Sequence, residues 1–176
     1  EGGSTTITAP DGGGTLQPTG DGGIEVPGGS TVKTGDGPEV TIPEDGGKVE
    51  SDGTIAVPGG STVTIPDGEG GKTEITVPDG GEATITPTDD GKVEVPAGSV
   101  VKPEDGPEVT VGDQGGKVTG DGSVTVPGGG SVTIPDGEGG STPITAPGTG
   151  GSVTPTGDRK VEVSGGSTVK GEGGPE

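Results

Sequence analysis

The chain has 176 residues, a formal charge of −20, 45 Gly and 18 Pro, and it lacks Cys, His, Met, Phe, Trp and Tyr. Without imidazole or thiol it has no nucleophile–imidazole pair, no zinc site built from N and S ligands and no disulfide. Without aromatic rings it has no stacking platform for bases or sugars, its charge repels phosphate backbones and anionic lipid, and no apolar run approaches the ~20 residues needed to cross a bilayer. Neither nucleic acid, membrane insertion nor a small-molecule substrate is expected.

Only 20% of the residues are hydrophobic, a content typical of disordered chains. The apolar residues nevertheless alternate with polar ones, and this period of two is the signature of half-buried strands. Along the chain the pattern forms a single array of repeats of about 34 residues, with units at 4–38, 39–73, 74–107, 108–143 and 144–176. Within these units TIAV (54–57), EITV (74–77), KVEV (92–95), EVTV (108–111) and SVTV (123–126) each place Val or Ile on one side and mostly Thr, Glu or Lys on the other. Between such segments stand VPGGS (26–30 and 57–61), IPDGEGG (65–71), VPDGG (77–81) and EDGP (104–107). Pro ends a ladder, Asp bonds the turn backbone and Gly accepts positive φ. A coarser rhythm lies above: VPGGSTVTIPDGEGGKT (57–73) returns 69 residues later as VPGGGSVTIPDGEGGST (126–142). No stretch has helical periodicity.

The expected fold is all-β. Arrays of this kind bury a core only by stacking neighbouring elements. A parallel β-solenoid, with about 17 residues per two-strand coil, is favoured because Val and Ile fill a thin gap between two sheets. The alternatives are hairpin-built sheets, since Pro-Asp-Gly is also hairpin chemistry, or a propeller with four strands per unit. Open strand edges at both ends leave three readings: ends blunted by Gly, Pro and Glu, pairing with the chain itself, end to end or edge to edge, or an excerpt of a longer array.

The units VPGGSTVTIPDG (57–68) and TVPGGGSVTIPDG (125–137) resemble Gly/Thr/Val-rich repeats of bacterial cell-surface proteins. That resemblance implies a stalk or spacer and an extracellular or cell-surface location. The chain also resembles computationally designed repeat proteins: seven residue types are missing, Lys outnumbers Arg eight to one, and the turns are near-ideal PDG and GG. That resemblance implies a scaffold.

Acidic turns are the first candidate sites. Eleven Asp-Gly pairs recur along the chain, and stacked carboxylates offer the six to eight oxygens that Ca²⁺ takes. The densest spots are Asp67 with Glu69, Asp89 with Asp90, and Asp136 with Glu138. Neither the D-x-D-x-D-G loop nor the GGxGxDxUx nonapeptide is present, so the turns read first as turn chemistry, with no cofactor required. GEGGKT (68–73) resembles the end of a phosphate-binding loop, but Pro66 stands where that pattern needs Gly, and the matching GEGGST (137–142) has no Lys. Thr6, Thr8, Thr41, Thr62, Thr64, Thr76, Thr84, Thr86, Thr110, Thr125, Thr133 and Thr145 suggest a flat Thr face of the ice-binding type, interrupted by Glu25, Glu50, Glu94 and Glu162. The functional expectation is a non-enzymatic structural repeat scaffold, spacer or filament element. A Ca²⁺-stabilised surface module is the alternative and an ice-binding face the third reading.

Overall fold

The computed structural model describes residues 4–10, 13–20, 22–67, 69–88, 90–135, 140–156 and 160–170, and among them there is no helix. Twenty strands form two ten-stranded sheets. The first sheet contains, in spatial order, β1 (Thr5–Thr8), β4 (Thr31–Thr34), β5 (Glu39–Thr41), β8 (Thr62–Pro66), β9 (Lys72–Thr76), β12 (Val100–Pro103), β13 (Val109–Val111), β16 (Ser131–Pro135), β17 (Ser141–Thr145) and β20 (Thr168–Val169). The second runs β2 (Gln17–Pro18), β3 (Ile24–Val26), β6 (Gly47–Val49), β7 (Ile55–Pro58), β10 (Glu82–Pro87), β11 (Val93–Val95), β14 (Gly116–Val118), β15 (Val124–Val126), β18 (Gly151–Thr156) and β19 (Lys160–Val163). At the usual strand spacing each sheet is roughly 45 Å across.

Every pairing is antiparallel. The favoured parallel solenoid is therefore not the fold, and the connections are those of hairpin-built sheets. The physical reason is that the turns do two different jobs. In a solenoid every turn carries the chain from one sheet to the other. Here only alternate turns cross; the rest fold the chain back within its own sheet. Thr88–Gly91 shows the returning kind: Gly91 N donates to Thr88 O (3.1 Å), Gly91 has φ +79°, and Thr88 N donates to Lys92 O (2.8 Å). These two bonds and the left-handed Gly close a three-residue hairpin connection. The same bonds recur at Glu50–Thr54 and Thr119–Ser123.

Pro27–Ser30 shows the crossing kind: Ser30 N donates to Pro27 O (3.2 Å) across Gly28 and Gly29, and Gly29 has φ +77°. A β-carbon on Gly28 would run into the backbone of Glu44 in the adjacent crossover, so this turn is held close to its neighbour. Because all neighbours are antiparallel, hairpins and crossovers separate in space. The hairpins of both sheets lie along one long margin of the sandwich, and the crossovers along the other.

Alternation supplies the core. One cluster of 25 buried residues, all Val, Ile or Ala, runs through both sheets, with Val32, Val63, Ile75, Val101 and Val132 from the first facing Ile55, Ile85, Val93, Val118 and Val124 from the second. Each strand from β3 to β18 contributes only one or two such side chains and the four end strands none, so no strand is stable without its neighbours. The crossover margin also buries Ser30, Ser61 and Ser99, whose Oγ atoms have no hydrogen-bond partner within the protein. Gly130 takes the corresponding place one repeat later.

Replacing Ser99 with Ala removes a buried hydroxyl that makes no bond, and the expected result is unchanged or slightly higher stability. Ile75→Ala, by contrast, is expected to cost about 2–4 kcal/mol. Urea denaturation of the two variants beside the parent checks both.

Candidate functional site

The hairpin margin is where the acidic residues converge. Asp67 opens the β8–β9 hairpin, and its Oδ1 accepts the backbone N–H groups of Glu69 (2.8 Å) and Gly71 (2.9 Å). Beside it, Glu104 from the β12–β13 hairpin accepts Lys72 N–H at Oε2 (3.2 Å), while its own N–H donates to Lys72 O (3.1 Å). Asp67, Glu69, Glu104, Asp105 and Asp121 line a cleft of about 390 Å³ together with Lys72 and Thr73. Thr73 is fully buried at its edge and donates Oγ1–H to Gly120 O (2.6 Å), tying a hairpin of the first sheet to the β14–β15 hairpin of the second.

The two described Asp-Gly turns of β10–β11 and β14–β15 share a second arrangement. Thr88 donates its hydroxyl to Asp90 Oδ1, and Lys92 Nζ lies 3.1 Å from Asp90 Oδ2. The Thr88 hydrogen bond first, and the Lys92 contact after it, hold the Asp90 carboxyl down at about 2. In the next copy Thr119 donates to Asp121 Oδ1, which also accepts Ser123 N–H (3.0 Å), and Ser123 Oγ–H reaches Oδ2 (3.1 Å). Partial burial pushes the Asp121 carboxyl up, but these hydrogen bonds together outweigh it and leave the group below its ordinary value. Asp52 is lowered in the same way, chiefly by the Thr54 N–H (3.0 Å).

Of the sequence candidates, Asp67 and Glu69 thus meet in one hairpin and one cleft, whereas Asp90 lies in a hairpin of the other sheet and does not line that cleft. Asp89, Asp136 and Glu138 lie outside the described residues. Among the described residues no group of three or more carboxylates is disposed to hold a metal ion. Asp52, Asp67, Asp90 and Asp121 spend their bonds on their own loops, which is the role Asp has in turns generally. The Lys72-Thr73 end of GEGGKT starts β9 and forms no phosphate cradle: Thr73 points inward with Ile75.

The Thr residues divide between both sheets. In the first, Thr8, Thr31, Thr41 and Thr64 form one cross-strand row that continues onto Glu74 and Lys102. A second row carries Thr62, Thr76, Val100, Thr110 and Thr133, and Thr62 and Thr76 bond each other (2.8 Å). On the second sheet two shallow grooves recur 69 residues apart, the one at Glu94, Lys117 and Thr125 repeating that at Glu25, Lys48 and Ala56. Glu94 and Lys117 neutralise each other across the ladder (3.0 Å), and that contact raises the Lys117 ammonium above its usual value. No protein-family model matches this chain, and no curated protein or solved structure matches it significantly.

Sequence reasoning missed Thr73 and Glu104. Thr73 falls in step with Ile75 on the buried side of β9, one residue before the EITV segment, and its acceptor lies 47 residues away. Thr73→Val keeps the shape, removes the donor and leaves Gly120 O unpaired, and is expected to cost about 1–2 kcal/mol in chemical denaturation. A second expectation concerns acid. Asp90 is depressed in the folded chain, so its contribution is present above its unfolded value near 4 and is lost as pH falls toward 2. Thermal melts should therefore show Asp90→Asn below the parent at pH 6, with the gap closing between pH 4 and pH 2.

Proposed function

We propose that this chain is a non-catalytic structural scaffold, a β-repeat spacer or filament element rather than an enzyme or a metal-dependent module. The observation that carries this reading is the single aliphatic core that passes through both sheets from Val26 to Val153. A uniform rod of this kind holds its ends apart, and further repeats lengthen it without changing its packing. The turn chemistry supports the same reading. Asp52, Asp67, Asp90 and Asp121 are engaged by backbone N–H, hydroxyl or ammonium groups of their own hairpins, so the loops are closed without a cation. The outer faces carry Thr, Glu and Lys in ordinary cross-strand pairs such as Lys33 with Glu39 and Glu94 with Lys117.

The alternative, a Ca²⁺-stabilised surface module, makes the acidic cleft at Asp67 and Glu104 a ligand set. Far-UV circular dichroism melts in EDTA and in millimolar Ca²⁺ separate the two. The scaffold reading expects a cooperative β-signal in EDTA, with a midpoint that calcium moves by less than about 2 °C. A coil spectrum in EDTA that becomes β only with calcium would overturn it in favour of the metal-dependent module.

A further inference from the structure

The described residues expose three large apolar side chains, Leu16, Val163 and Val169, at 39%, 37% and 45% of their surface. All three lie at the ends of the sandwich, and each occupies a repeat position that is buried in the interior copies. Leu16 corresponds to Val153 in GSVTPTG (151–157), which is 3% exposed; Val163 corresponds to Val95 in KVEV, 5% exposed. Val169 belongs to GGSTVK (165–170), a verbatim copy of GGSTVK (28–33), in which Val32 is completely buried. The same hexapeptide is therefore seen in two settings within one molecule. In β4 it is paired on both sides, by β1 and β5; in β20 it is paired on one side, by β17.

The internal copies also show what would cover the other side. β4 is followed in its sheet by β5, whose Val40 pairs with Val32; β1 is the equivalent of β5, with Ile7 in the place of Val40. In the second sheet β15 is followed by β18, with Val124 opposite Val153 and Thr125 opposite Ser152. β19 is the equivalent of β15, and the segment through Leu16 and β2 is the equivalent of β18. Both sheets thus stop at the same phase of the repeat at one end and begin at the next phase at the other.

We infer that a second copy of this chain docks head to tail, its β1 pairing with β20 and its Leu16–β2 segment with β19. The register follows from the internal pairs: Val169 opposite Ile7, Thr168 opposite Thr8, Val161 opposite Leu16 and Glu162 opposite Thr15. The contact joins two different surfaces and repeats by translation and twist, so it propagates into an open filament and does not close on itself. The tail is the less acidic of the two ends: residues 1–32 carry four carboxylates and no cation, and residues 145–176 carry four carboxylates and three of the nine cations. Lys170 does not block the pairing, because Lys33, which follows the same five residues, sits in a strand paired on both sides and already lies opposite Thr6 on one of them. The inference deepens the scaffold reading and rests on it.

The test exploits the absence of Cys. Val169→Cys and Ile7→Cys chains are mixed in equal amounts at about 0.15 M salt and joined with a short thiol cross-linker; a Val161→Cys and Leu16→Cys mixture probes the other sheet. Head-to-tail docking predicts mixed dimers at least tenfold more abundant than either homodimer in both experiments, and parent protein that sediments as longer particles with rising concentration. Equal amounts of mixed dimers and homodimers, or a parent that stays monomeric to several hundred micromolar, would overturn it. A monomer that still melts cooperatively in EDTA would discard the docking and leave the scaffold reading standing.

Discussion

The constraint on which the structure depends is the thinness of its core. With no aromatic residue and a single Leu, the space between the sheets is filled by Val and Ile almost alone, and each strand from β3 to β18 offers only one or two buried side chains. Fully burying one such side chain is worth about 1.5–3 kcal/mol, whereas ordering each residue's backbone costs about 1–2 kcal/mol. A hairpin of three-residue strands cannot meet that cost. Two extended sheets can, because every interior Val is covered by both lateral neighbours and by the facing sheet. Cohesion is therefore a property of the array, and it weakens toward whichever strands lack a neighbour.

The turns convert this core into a particular shape. Turns such as Glu50–Thr54 and Thr119–Ser123, closed by a left-handed Gly, reverse the chain within a sheet, and turns such as Pro27–Ser30 pass it across. Alternating the two puts hairpins on one margin and crossovers on the other. The acidic residues then fall mainly on the hairpin margin as a consequence of turn chemistry. The lowered titration of Asp90 and Asp121 follows from bonds inside the loops, Asp90 with Thr88 and Lys92, Asp121 with Thr119 and Ser123. Thr73 reaching Gly120 joins hairpins of opposite sheets along this margin.

Much of this was legible in the residues. The alternation in KVEV (92–95) placed Val93 and Val95 inward, and both are buried; the missing aromatics, read as favouring a parallel solenoid, are equally met by antiparallel sheets with a Val and Ile core. What was not legible was the direction of successive strands. Asp-Gly occurs in both turn classes: Asp79-Gly80 lies in a crossover, Asp90-Gly91 in a hairpin. The dipeptide alone therefore does not say whether the chain returns or crosses. Asp67 and Glu69 were recognisable as one acidic turn, but their meeting with Glu104 and Asp121 depends on how hairpins from separate repeats abut. That is a tertiary fact which no local pattern carries. The same is true of Leu16, whose exposure reflects only the missing neighbour beside it.

Native-state hydrogen exchange on dilute, monomeric protein, read at individual amides, tests the dependence of each strand on its neighbours most directly. The account predicts greatest protection in the central strands, from β8 to β13, with a stepwise decline toward β1 and β2 at one end and β19 and β20 at the other. Uniform protection along the whole array, or protection that ends abruptly within it, would contradict a structure held together by nearest-neighbour burial.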